Sequence, residues 1–389
     1  MNRNLWLMVA AQALFMTNNI VFVAVNGLVG LSIAPYTWLA TLPIMGYVLG
    51  GALSTGPVAW TQARWGRRVS FQIGLVVACF SSLLAAWAVY ESNFWLLVCA
   101  TVIAGYYSAN GQLYRFAAAE LAQPNYRERA VSMVLAGGIV GGVLGPNLAQ
   151  WAQHAGSVPF AGAYAALAGV ALIAMLVVAK VEFPPVLLKQ KGGEGGRPLS
   201  EIMRQPVFIV STAAAAFGYG VMNLMMAASP IAMKICGHPF ADAALVLEWH
   251  IIGMFAPGFF TGQLIKRFGA IKVMGAGVVL NLICIAIALQ GIEVANFVIA
   301  MFLVGVGWNF LFTAGTALSL NAYRPEEKDK AQGAINFCIF MMMMVSSLSS
   351  GARVTTQGWR LLNLISLVPV ALTGVIVIWY VLRGRGAKA

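Results

Sequence analysis

Gln123-Pro-Asn-Tyr-Arg-Glu-Arg-Ala130 and Arg324-Pro-Glu-Glu-Lys-Asp-Lys-Ala331 are two copies of one polar segment in an otherwise greasy chain. Pro124 and Pro325, like Ala130 and Ala331, stand 201 residues apart, and base, acid and base match between them. A second pair lies upstream of each copy: Arg64-Trp-Gly-Arg-Arg68 and Arg267-Phe-Gly-Ala-Ile271, with Gly66 and Gly269 203 residues apart. Two separate loops repeated at nearly one offset argue for an internal duplication.

The surrounding composition says where such a chain lives. Of 389 residues, 60% are hydrophobic and 9% charged, and the mean hydropathy is +0.81. Soluble proteins carry about 25% charged residues. These figures exclude a soluble enzyme, a nucleic-acid-binding domain and a disordered protein. Twelve acids and three histidines leave little material for acid–base or metal chemistry. The five cysteines are scattered without metal-ligand spacing and read as small packing residues. No catalytic constellation, cofactor or metal site is expected.

A membrane helix needs about 20 mainly apolar residues. Twelve such spans are expected, at 5–31, 37–60, 69–90, 94–118, 130–153, 160–180, 206–229, 241–265, 271–290, 294–320, 331–353 and 358–382. The first is too long for a cleavable signal peptide. Placing both termini in the cytoplasm puts twenty of the 24 lysines and arginines in inner segments; Lys234, Arg353 and Arg360 fall outside and Arg115 within a span. That asymmetry is the positive-inside rule, so the +12 charge is a topology signal with an attraction to anionic lipid, not a nucleic-acid patch. The polar stretch 181–205, with Pro184-Pro185 and Lys191-Gly-Gly-Glu-Gly-Gly-Arg197, reads as a cytoplasmic linker between a bundle at 1–180 and a second at 206–389. The fold class expected is an all-α integral membrane protein, twelve transmembrane helices in two pseudo-symmetric six-helix bundles. Internal repeats of this kind are the building plan of secondary transporters.

Along its whole length the chain resembles the major facilitator superfamily. That family's loop between spans 2 and 3 has the pattern Gly-x-Leu-Ala-Asp-Arg-x-Gly-Arg-Arg. Here Arg64, Gly66, Arg67 and Arg68 keep its end, while Ala59 and Ala63 replace the first Gly and the Asp. The second copy keeps Gly262, Leu264, Arg267 and Gly269 but has Lys266 at the Asp position. The resemblance implies that this loop clasps neighbouring helices, so a clasp here needs a different acid; Glu120 and Glu128 are the candidates. Span 5 carries Gly137, Gly141, Gly145 and Pro146, similar to the family's span-5 antiporter motif but with Ala149-Gln150 where Gly-Gly is expected. This strip is either a packing seam or a hinge biased toward export.

The resemblance also implies a cavity lined by spans 1, 4, 7 and 10, and those spans carry the polar residues. Candidate substrate-binding residues are Asn18, Asn19, Tyr107, Asn110, Tyr114, Arg115, Asn223, Trp308, Asn309 and Asn336 on span 11. Amides, tyrosines and an indole suit a small organic molecule. Arg115 either snorkels to the interface or meets an anionic group. Glu248, roughly two turns into span 8 from the outer side, is the one acid left within a span, and is either a proton-coupling residue or a wet structural one near the outer interface. His250, about 200° round the helix from it, reads as packing. The function expected is a secondary transporter of a bacterial inner membrane, moving a small molecule by alternating access, proton- or ion-coupled, monomeric and leaning to efflux. The alternatives are an importer of an anionic or polar metabolite, or a receptor of the same fold that moves nothing. A membrane-embedded enzyme would need clustered nucleophile and His or Asp groups, which the spans lack.

Overall fold

The computed structural model describes residues 3–123, 127–183, 196–324 and 327–386. Pro124 and Pro325 of the repeated loop lie outside them, as do Pro184-Pro185, Lys189, Lys191 and Glu194 of the linker, Glu326 and Lys388. The described residues form helices and turns with no strand. In chain order the helices are α1 (Arg3–Ile33), α2 (Leu42–Tyr90), α3 (Phe94–Gly111), α4 (Tyr114–Leu121), α5 (Arg127–Ala152), α6 (Ala161–Ala179), α7 (Leu199–Met203), α8 (Pro206–Ile235), α9 (Phe240–Phe255), α10 (Gly258–Phe268), α11 (Ala270–Gln290), α12 (Val294–Ser319) and α13 (Lys328–Gly386).

Ten helical segments among the described residues are long and apolar enough to cross a membrane. Two of them, Thr37–Tyr90 and Lys330–Arg383, have 54 residues each. At about 1.5 Å per residue, each exceeds twice a hydrocarbon thickness of about 30 Å. Each is broken at one glycine: Gly66 (φ 81°, ψ 173°) in α2 and Gly358 (φ 78°, ψ 173°) in α13. The sequence predicts separate helices at 37–60 and 69–90, and at 331–353 and 358–382. The structure joins each pair through a single residue, because a glycine at positive φ redirects the chain without a loop. Gly269, the repeat partner of Gly66, has φ 85° and ψ 151°. The duplicated loop therefore repeats its backbone conformation as well as its spelling.

The offset of 203 residues finds another pair, Gly50 and Gly253. A Cβ on Gly50 of α2 would lie 1.9 Å from the Val102 carbonyl oxygen of α3; one on Gly253 of α9 would lie 2.4 Å from that of Phe302 on α12. Both crossings are backbone against backbone, the geometry that small residues permit in lipid.

Two predicted spans are interrupted. The span at 94–118 divides into α3 and α4 at Gln112-Leu113, where the Leu113 amide donates to the Asn110 carbonyl in a tight turn (3.0 Å) and Phe15 packs where a Gly111 side chain would be. The span at 241–265 divides into α9 and α10 at Ala256-Pro257. Pro257 has no N–H for the helix and its ring crowds the preceding turn.

The chain divides into two compact units, Met1–Leu188 with Ala227–Glu248, and Lys189–Met226 with Trp249–Ala389. The core of the first gathers Phe22, Val25 and Leu28 of α1, Tyr47 and Ala85 of α2, Leu97 and Ala100 of α3 and Tyr164 of α6. The most apolar stretches of α1 and α8 are 78% and 72% buried, against 39% for α6 and α11. Large apolar side chains such as Val76, Phe80, Leu172 and Leu176 are exposed. Water would penalise such a surface; hydrocarbon does not. Exposed tryptophans sit near helix ends, among them Trp6, Trp65, Trp87, Trp95 and Trp151, where an interfacial belt needs them.

Candidate functional site

In the first unit α1 carries an unusual load of buried amides. Gln12, Asn18 and Asn26 are buried, and Asn18 Nδ2 has no hydrogen-bond partner among the described residues. Asn19 donates to the Tyr47 hydroxyl (3.2 Å), and the Tyr164 hydroxyl donates to Asn26 (2.5 Å). Tyr107 and Tyr114 are buried edge-on to Phe15, with ring centroids 5.4 and 6.0 Å away, and Phe71 meets Tyr114 at 4.8 Å. Asn110 is fully buried and accepts from the Ser70 hydroxyl (3.0 Å), which also meets Thr61 (2.9 Å). Tyr107, Asn110 and Tyr114 are thus built into the packing of this unit. Arg115 is half-buried, with its guanidinium 4.9 Å from the centre of the Phe116 ring.

In the second unit the candidates group around α12. Trp308 is stacked on Phe312 one turn away (5.2 Å, 13°), and Tyr219 of α8 stands perpendicular to both, at 5.3 and 5.6 Å. Phe255 of α9 closes the group at 6.4 Å from Trp308. The indole Nε1 is buried without a partner among the described residues. A buried donor left unmatched is costly, so it is a natural point for a ligand acceptor. Asn309 faces away from this group, donating to the Met254 carbonyl (2.8 Å) and accepting from Thr261 (2.7 Å). Asn223 on α8 has three acceptors within reach of its amide: Ser347 (2.7 Å), Ser346 (2.8 Å) and the Met343 carbonyl (3.1 Å). Its two N–H groups can satisfy two of them at once. Asn336 is exposed on α13.

Glu248 on α9 is half-buried and accepts a hydrogen bond from Asn147 of α5, the residue after Pro146. His250, two residues on, is fully buried, and its Nδ1 lies 2.7 Å from the Met301 carbonyl of α12. The two side chains address different helices, as their angular separation requires. The glycine strip of α5 lies directly on α1: Cβ atoms at Gly137, Gly141 and Gly145 would meet the carbonyls of Val9 (2.6 Å), Ala13 (2.3 Å) and Thr17 (3.1 Å).

The clasp around the repeated loop is present with a substitute acid. Arg67 donates through Nε (3.0 Å) and Nη2 (2.5 Å) to the two oxygens of Glu120 on α4, and Arg68 donates to the Ala179 carbonyl at the end of α6 (2.5 Å). Arg64 lies over Trp60 at 5.8 Å, and Arg267 over Phe268 at 5.2 Å. The second unit holds a clasp that sequence reasoning missed. Glu327 is fully buried and accepts from Arg197 Nε (3.0 Å), Nη2 (2.8 Å) and backbone N (2.8 Å), and from the Arg324 amide (2.9 Å). The Arg197 guanidinium first, then these amides, hold its carboxyl well below the usual carboxylate range. Arg197 reads as linker from composition, and 130 residues separate it from its partner. Ile202 on α7 anchors the same segment against Phe208, Ala322 and Ala331.

The family model described as Major Facilitator Superfamily matches residues 5–256 and again 212–389. The riboflavin transporter RfnT of Brucella anthropi is 37% identical over 391 residues, covering 100% of this chain and 98% of that one. YddS of Bacillus subtilis, described as an uncharacterized MFS-type transporter, is 24% identical over 89% of this chain and 83% of its own length. Among solved structures, a mutant of the nucleoside transporter NupG is similar with a TM-score of 0.75 at 14% identity, covering 98% of this chain and 99% of that one. A D-xylose–proton symporter is similar at 0.73 and 14% identity, over 95% and 96%.

Proposed function

The chain belongs to the major facilitator superfamily, and from that membership we propose that it carries a riboflavin-like molecule, a planar heteroaromatic ring with polar substituents, across a bacterial inner membrane by alternating access. The observation that carries this reading is the full-length relationship to a riboflavin transporter. Side chains of each unit, taken by itself, support it: the second holds the Trp308, Phe312 and Tyr219 rings with an indole N–H unpartnered among the described residues, and the first holds an Asn18 amide likewise unpartnered. Asn19 and Arg115 in the first unit, and Asn223 in the second, are the further proposed substrate-binding residues.

The direction proposed is uptake. The lean toward export rested on the α5 glycine strip alone, and close packing against α1 already accounts for that strip. The proposed topology has twelve crossings, with the double-length α2 and α13 each crossing twice, two six-helix halves and both termini in the cytoplasm. Glu248 is the proposed proton-coupling residue, released from Asn147 when it takes up its proton. The carrier works as a monomer in this reading.

Titration of purified protein with riboflavin, read by tryptophan fluorescence, tests the substrate. Saturable quenching that falls sharply in Trp308→Phe supports the proposal. No quenching by riboflavin, with quenching by a nucleoside or a pentose instead, overturns it.

A further inference from the structure

The first unit carries an open apolar groove on the surface of α2. It occupies about 380 Å³ and is lined by Arg68, Val69, Gln72, Ile73, Val76 and Val77 of α2. Gln72 of this lining donates to the Met175 carbonyl of α6 (2.9 Å). Its floor is apolar, and Val69 and Val76 are exposed.

Charge is concentrated around its Arg68. Arg68 donates to the Ala179 carbonyl (2.5 Å) and Arg3 to the next carbonyl, that of Lys180 (3.4 Å). Arg3 and Arg68 therefore both reach the C-terminal end of α6, where Lys180 is the next residue, and all three are exposed. Both guanidiniums keep N–H donors beyond those that cap the helix. The neighbouring acid is Glu182, whose backbone is held by Asn4. Exposed Trp60 and Trp65, packed edge-to-face at 5.2 Å beside Arg64, mark the same stretch as interfacial.

We infer that this groove is a binding site for an anionic phospholipid of the leaflet facing the basic helix ends, with its phosphate on Arg3, Arg68 and Lys180 and an acyl chain along Val69, Ile73 and Val76. An apolar trough topped by three cations is complementary to that chemistry and to no soluble anion, which would leave the trough uncovered.

Native mass spectrometry of delipidated protein, titrated with phosphatidylglycerol or phosphatidylcholine of matched chains, tests it. Wild type retains phosphatidylglycerol in preference to phosphatidylcholine. Arg68→Ala with Lys180→Ala lowers phosphatidylglycerol affinity roughly 30-fold, as loss of two interfacial cations predicts. Lys272→Ala with Arg383→Ala removes the same charge from two other exposed basic sites and leaves affinity unchanged. The Lys180→Ala single variant, which leaves the helix cap intact, gives about a fivefold loss. Equal retention of the two lipids by wild type overturns the inference, as does an equal loss in both double variants.

Discussion

The two units repeat a framework and diverge in what they hang on it. Gly50 and Gly253 make matching backbone crossings, and Gly66 and Gly269 share one left-handed turn. The charged clasps do not match. Arg67 meets Glu120 on the surface, with the carboxylate side chain 44% exposed; Arg197 meets a Glu327 that is fully buried under four donors. The interiors differ too: buried tyrosines and a Thr61–Ser70–Asn110 network on one side, a tryptophan-centred aromatic group on the other. The matched positions are those where backbones meet or turn; the side chains around them differ between the units.

The strongest way to break this comparison is at the glycine crossings. Gly50→Ala forces a methyl into a carbonyl and is expected to cost about 3 kcal/mol or more. Gly253→Ala, with a looser approach, costs about 2 kcal/mol. Thermal unfolding in detergent orders the two; a larger loss at Gly253 would dissolve the equivalence.

Glu327→Gln comes next, lowering Tm by roughly 5 °C at pH 7. Because the native carboxyl is held below its unfolded value of about 4.3, its contribution is complete above that pH and is lost progressively as pH falls from there through the native value. The gap between wild type and variant therefore stays constant from pH 8 to 5 and narrows in stronger acid. A gap that closes near pH 6 would assign it to another group.

Trp308→Phe keeps an aromatic face and loses one donor, weakening riboflavin binding roughly 3- to 10-fold in the fluorescence titration. Glu120→Gln is the mildest, under about 1 kcal/mol, since exposed pairs contribute little. A Glu120→Gln loss equal to that of Glu327→Gln would show the two clasps to be alike after all.

Much of this was legible because lipid simplifies the reading. Long apolar runs must be helices, and the repeated loops pointed to Gly66 and Gly269 as a pair that shares a positive φ. Glu120 could be named as a partner for the arginine loop because few acids were available. The divisions at Gln112 and Pro257 were hidden: the first depends on Phe15 arriving from another helix, and the second requires weighing one proline against a strongly apolar span. The Arg197–Glu327 clasp was hidden for a related reason. Its two halves are far apart in the chain, and glycine-rich composition masks one of them. Asn147, the partner of Glu248, sits behind a glycine strip that drew the attention to packing.

The central claim is carriage of a riboflavin-like molecule, and flux tests it most directly. Proteoliposomes holding the purified chain should accumulate labelled riboflavin above protein-free vesicles, with excess unlabelled riboflavin competing, xylose and nucleosides not competing, and Glu248→Gln abolishing the response to an imposed pH gradient. Uptake no faster than in empty vesicles, under gradients of either sign, would contradict the account.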